Sequence, residues 1–137
     1  MLATGRHLVR IVIISASATL WAQAAGAQAV GERIYNESCG ACHGVGGSGD
    51  GVMDDFLTTP PPPLNKLAAA NDGVFPLETV LKTIDGRRDV RAHGSSMPVW
   101  GAVFSRPLAG EIAHDVAQLV VKGRILALAE YIESIQD

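Results

Sequence analysis

The chain has 137 residues, enough for one small domain, and its formal net charge of −3 argues against nucleic acid as a partner. Its apolar fraction of 47% is inflated by one N-terminal stretch and does not argue for a membrane protein. The two cysteines are too few for a disulfide framework.

Residues 1–27 read as a secretory signal. Arg6 and Arg10 supply the positive start, Ile11 to Leu20 is apolar apart from Ser and Thr, and Ala25-Gly26-Ala27 is a small-x-small cleavage site. We place the cut after Ala27, which leaves 28–137 as one domain and predicts a periplasmic location. A retained anchor is the alternative. The apolar stretch is short and Gln23 interrupts it, so no stable membrane span is expected after processing. Removal takes away two arginines and no acid, leaving nine Lys+Arg against 14 Asp+Glu, a charge of about −5.

Val30 to Ser38 reads as a short helix. Gly31 and Tyr35 share one of its faces, and we expect a crossing there with a C-terminal helix carrying Tyr131. Next comes Cys39-Gly40-Ala41-Cys42-His43, the C-x-x-C-H sequence through which haem c is attached. Positions i, i+3 and i+4 of a helix share a face, so both thiols and the imidazole reach one flat object. Each thiol can form a thioether with a haem vinyl group, and His43 can bind the iron. Zinc would need two further ligands at comparable spacing, and His7, His93 and His114 are scattered. A thioredoxin-like dithiol would need a βαβ setting, and a plain disulfide leaves His43 unexplained.

Gly44 to Gly51 is a glycine-rich turn that ends without the Lys-Ser/Thr of a phosphate loop, and Asp50, Asp54 and Asp55 do not match a calcium loop. We read it as letting the backbone pass close to the porphyrin. Pro60 to Pro63 forms an extended, stiff segment. Proline lacks an N–H, so this segment offers carbonyls that can fix the ring of a ligating histidine, with Leu64 packed on the haem face. Pro76 to Ile84 reads as a helix with Pro76 at its first position, Val80, Leu81 and Ile84 as its buried stripe, and Asp85-Gly86 as its end. In the mixed-charge run 87–91, one arginine is expected to pair with a haem propionate.

Beyond the signal only Met53 and Met97 remain as thioethers. Met97 lies far enough along the chain to reach the opposite haem face, and Pro98 stiffens its loop. We expect Met97 as the second axial ligand, ahead of His93 and Met53. Trp100 is expected at the haem edge. Val121, Ile125, Leu128, Ile132 and Ile135 recur at steps of four and three, predicting a helix from about Ala113 to Ser134. No strand and no internal repeat is predicted.

Taken together, the chain resembles the small single-haem cytochromes c with His/Met ligation. The resemblance rests on Cys39 to His43, Pro62-Pro63-Leu64, Met97-Pro98 and the paired terminal helices, and it covers most of the mature chain. It implies an all-α cytochrome c fold, with three to five helices around one covalently bound haem and the N- and C-terminal helices crossing. It implies that Cys39 and Cys42 hold the haem, that His43 and Met97 are axial ligands, and that Pro62 accepts the hydrogen bond from His43. The pocket residues would be Pro62, Leu64 and Trp100. The implied function is single-electron transfer between redox partner proteins, without catalysis. The alternatives are a haem subunit of a larger dehydrogenase or terminal oxidase, and a haem enzyme or gas sensor with an open iron. C-x-x-C-H near the N-terminus argues against the cytochrome c-prime arrangement. The chain departs from the family in a long stretch between Phe104 and Gly123 and in its acidic charge, unlike basic mitochondrial-type carriers.

Overall fold

The computed structural model describes residue 26, residues 28–87 and residues 97–137. The expected signal, apart from Gly26, and the rival ligand His93 lie outside the described residues, as do Arg88 and Arg91. Among the described residues the regular structure is helical, with no strand beyond one isolated bridge between Ala109 and Ile112. No described helix is long and apolar enough to cross a membrane.

Helix α1 covers 28–38, followed without a loop by the single turn α2, Gly40–His43. The Cys39 N–H donates to the Tyr35 carbonyl at 2.7 Å, which carries the α1 path into the attachment turn. Gly44, at φ 78°, ends that turn with its N–H on the Gly40 carbonyl. A side chain would resist this left-handed conformation.

Helix α3 spans Leu77–Asp85, with Val80 and Ile84 buried and Leu81 half-buried against the same core. Pro76 is its N-cap rather than its first helical residue, one position outside the expected boundary. Gly86 closes it at φ 62°. The short helix α4, Trp100–Ser105, was not predicted. Its buried residues are Gly101 and Phe104, and its Trp100 and Phe104 rings stack at 5.5 Å.

Helix α5, His114–Ser134, begins and ends as the periodicity predicts. Val121, Ile125, Leu128 and Ile132 face inward, joined by Ala117, Ala129 and Tyr131. Ile135 lies just past the helix and is half-buried. Upstream, Ala117 faces the core while Val116 stays exposed. α5 packs against both α3 and α4. The predicted crossing with α1 is present. A Cβ on Gly31 would collide with the Ala127 carbonyl and with Cβ of Tyr131. Close by, the Tyr35 and Tyr131 rings meet at 5.2 Å, inclined by 49°. Glycine lets the two backbones approach closely enough for the tyrosines to stack.

Candidate haem-attachment site

The attachment turn presents the three groups as the helical spacing requires. Cys39 and His43 are buried and Cys42 half-buried, while Ala41 between them is exposed. Both cysteines are free thiols. Burial, and then the neighbouring Cys42, push the Cys39 thiol up to about 12.

His43 is braced from one side. Its Nδ1 lies 3.1 Å from the Pro62 carbonyl oxygen. A carbonyl only accepts, so Nδ1 carries the proton and Nε2 keeps its lone pair. Burial lowers the His43 pKa, against the opposing effect of the Pro62 bond. The ring is therefore held neutral, the form that can donate to a metal.

The glycine turn and the proline segment lock together at this point. The Leu64 and Asn65 N–H groups donate to the Gly47 carbonyl at 2.6 and 3.1 Å. A Cβ on Gly49, at φ 86°, would lie 2.7 Å from the Pro61 carbonyl oxygen. Gly51 is pressed against the backbone of Ala41 and Cys42, and its N–H donates to the Cys42 carbonyl at 3.2 Å. The close approach that these glycines permit is thus to neighbouring backbone. This contact holds the acceptor of His43 in place.

Leu64, Met97 and Trp100 are half-buried and pack on the core cluster from three different segments. Phe75, Leu77 and Leu81, from α3 and its entry, pack on the same cluster. Met53, the other thioether, is 40% exposed on the turn's exit. Arg87 is committed elsewhere. Its guanidinium grips both carboxylate oxygens of Asp85 and donates to Gln118 Oε1 at 2.6 Å, tying the end of α3 to α5.

Sequence reasoning missed one contact of the site. The Tyr35 hydroxyl donates to the Gly44 carbonyl at 2.6 Å, directly after His43. Burial pushes the phenol up to about 12, so it remains a donor. The signal was available: a wholly buried tyrosine needs a partner for its hydroxyl.

These residues fit a covalently held porphyrin. Two free thiols and a neutral, oriented imidazole occupy one helical face, and half-buried apolar side chains from several segments suit a flat apolar macrocycle. That combination defines a c-type cytochrome. Within this class, the chain belongs to the family described as cytochrome c oxidase, cbb3-type, subunit III, matched over residues 26–114. It binds haem c covalently, and its all-α fold is that of a cytochrome c domain. The match ends at the first residue of α5, so the α1–α5 crossing is seen in the structure independently of it. No curated protein and no solved structure matches the chain.

Proposed function

We propose that this protein is an exported single-electron carrier whose haem is bound by Cys39 and Cys42 and ligated by His43 and Met97. The observation that carries the reading is the His43–Pro62 hydrogen bond at 3.1 Å. It commits Nδ1 and leaves Nε2 as the donor to a metal, the arrangement in which a backbone carbonyl orients a ligating histidine. When bound, haem iron supplies a one-electron couple between Fe(III) and Fe(II), and a soft thioether ligand favours the reduced form.

The chain's own residues do the rest. Cys39 and Cys42 fix the macrocycle against loss. The Pro62 carbonyl fixes the imidazole plane and its tautomer. Met97, on the segment leading into α4, would hold the iron together with His43, which would leave no open site for a substrate and make this a carrier rather than an enzyme. The apolar cluster around Leu64, Phe75, Leu81 and Trp100 excludes water and so disfavours the extra charge of Fe(III). At the surface beside the attachment turn, Val45, Val52 and Phe56 are 79%, 81% and 78% exposed. Met53 N–H bonds the Ala41 carbonyl, which brings this apolar surface alongside the attachment turn. It suits brief contact with a redox partner.

The family match favours a second reading, in which the partner is permanent and the chain serves as the haem subunit of an oxidase complex. The size of the protein after mild extraction separates the two. A species of about one domain supports the free carrier, and co-migration with a larger haem complex supports the subunit. Replacing Met97 by Ala tests the ligation. A lower potential and an iron that binds added ligands are expected, and an unchanged potential would reject Met97.

A further inference from the structure

Gln136, just beyond α5, uses its whole side-chain amide. Its Oε1 accepts from the Ala68 N–H at 2.8 Å. Its Nε2 donates to the Leu64 carbonyl at 2.7 Å and to the Ile132 carbonyl at 2.7 Å. Asp137 reinforces the grip, with its N–H on the Asn65 carbonyl at 3.0 Å and its Oδ2 accepting from Asn65 Nδ2 at 2.9 Å. Residues 64–68 are thus stitched to the end of α5 on one side. On the other side the Gly47 carbonyl holds the Leu64 and Asn65 N–H groups.

Leu64 is separated from Pro62 by one residue, Pro63, which sits at φ −67° and ψ 118°. Proline has almost no freedom in φ, and it also restricts the residue before it. The link from the Leu64 backbone to the Pro62 carbonyl is therefore short and stiff. Whatever fixes Leu64 fixes the direction of the oxygen that accepts from His43.

We infer that Gln136 is a positioning residue for the axial imidazole, acting through Leu64 and the Pro62 carbonyl. The assignment rests on the reading of His43 as a ligand. A well-aimed acceptor on Nδ1 raises the basicity of the imidazole and stabilises Fe(III). Gln136 thereby holds the reduction potential down, from a position at the far end of the last helix.

The test uses full-length, haem-loaded protein. Gln136→Met keeps the shape and removes all three hydrogen bonds. Gln136→Glu keeps an acceptor for Ala68 and loses both donors. Lys66→Ala is the control, because it removes only the exposed ion pair with Asp137. Redox titration gives the potential, and NMR gives the solvent-exchange rate of the His43 Nδ1 proton. With three hydrogen bonds lost in Gln136→Met and two in Gln136→Glu, both variants should raise the potential and speed that exchange by about tenfold or more. Lys66→Ala should leave both readouts at the wild-type value. If Gln136→Met fails to fold, Gln136→Glu decides alone. Normal haem content with lower thermal stability but unmoved potential and exchange would overturn the assignment and leave the ligand reading intact. Wild-type protein without covalent haem would overturn both.

Discussion

The crossing of α1 on α5 can be tested with two substitutions of identical chemistry and opposite expected sign. Gly31 and Gly123 both lie within helices. Replacing glycine by alanine inside a helix ordinarily gains about 1 kcal/mol from propensity alone. At Gly123 a new Cβ meets no other atom within 4 Å, so Gly123→Ala should keep that gain. At Gly31 the Cβ strikes the Ala127 carbonyl, with the Ala127 carbonyl carbon and Tyr131 Cβ both at 2.9 Å. These are backbone and stem atoms that cannot rotate away. The helices must separate, which loosens the Tyr35–Tyr131 stack and the fully buried Tyr35. Overpacking of this kind costs about 1–3 kcal/mol, and losing part of an aromatic pair adds about 0.5–1.5 kcal/mol. Net of propensity, Gly31→Ala should destabilise by about 1–3 kcal/mol. For a domain of this size that lowers Tm by roughly 4–8 °C per kcal/mol, while Gly123→Ala raises it by a similar increment. Thermal unfolding of haem-loaded protein followed by far-UV circular dichroism reads both. Shifts of the same sign in the two variants would refute the close crossing.

Tyr35→Phe removes only the hydroxyl and leaves the buried Gly44 carbonyl with its single 3.2 Å bond from the Gly47 N–H, so a loss of about 0.5–1.5 kcal/mol is expected in denaturant titration. Met97→Ala should abolish the weak far-red sulfur-to-iron absorption of the oxidised protein and lower its potential, whereas a retained band would point to another ligand. In haem-free protein the Cys39 thiol, raised from 9.0 to about 12, stays protonated at pH 8. Three pK units reduce its thiolate by about a thousandfold relative to the unfolded chain, so alkylation of Cys39 should accelerate by at least two orders of magnitude in denaturant. Equal rates with and without denaturant would contradict that burial.

The parts of this fold legible in the sequence are those where a period or a fixed spacing repeats one physical demand. Cys39, Cys42 and His43 declare themselves because a rigid flat group needs all three on one helical face. α5 is legible because its inward residues recur over about four turns, and α3 because an apolar stripe lies between a proline and a glycine. α4 was not legible. At six residues, with Gly101 inside it, it is too short to show a period, and packing against α3 and α5 holds it in place. The lock between the glycine turn and the proline segment was also hidden. It is made by the backbone of Gly47 and Gly49, and which backbone they approach depends on the path of the whole chain. The contacts of Arg87 were not legible either, because a mixed-charge run does not announce that Asp85 and Gln118 both bond its guanidinium.

The central claim is a porphyrin joined through two thioethers to Cys39 and Cys42. Its most direct measurement is the mass of intact protein, matured by the haem-attachment machinery, before and after acid-acetone extraction. The account predicts that the mass of one haem and the red colour both stay with the protein, and that both are lost from the Cys39→Ala, Cys42→Ala double variant. A colourless wild type, or haem that passes into the acetone, would contradict it.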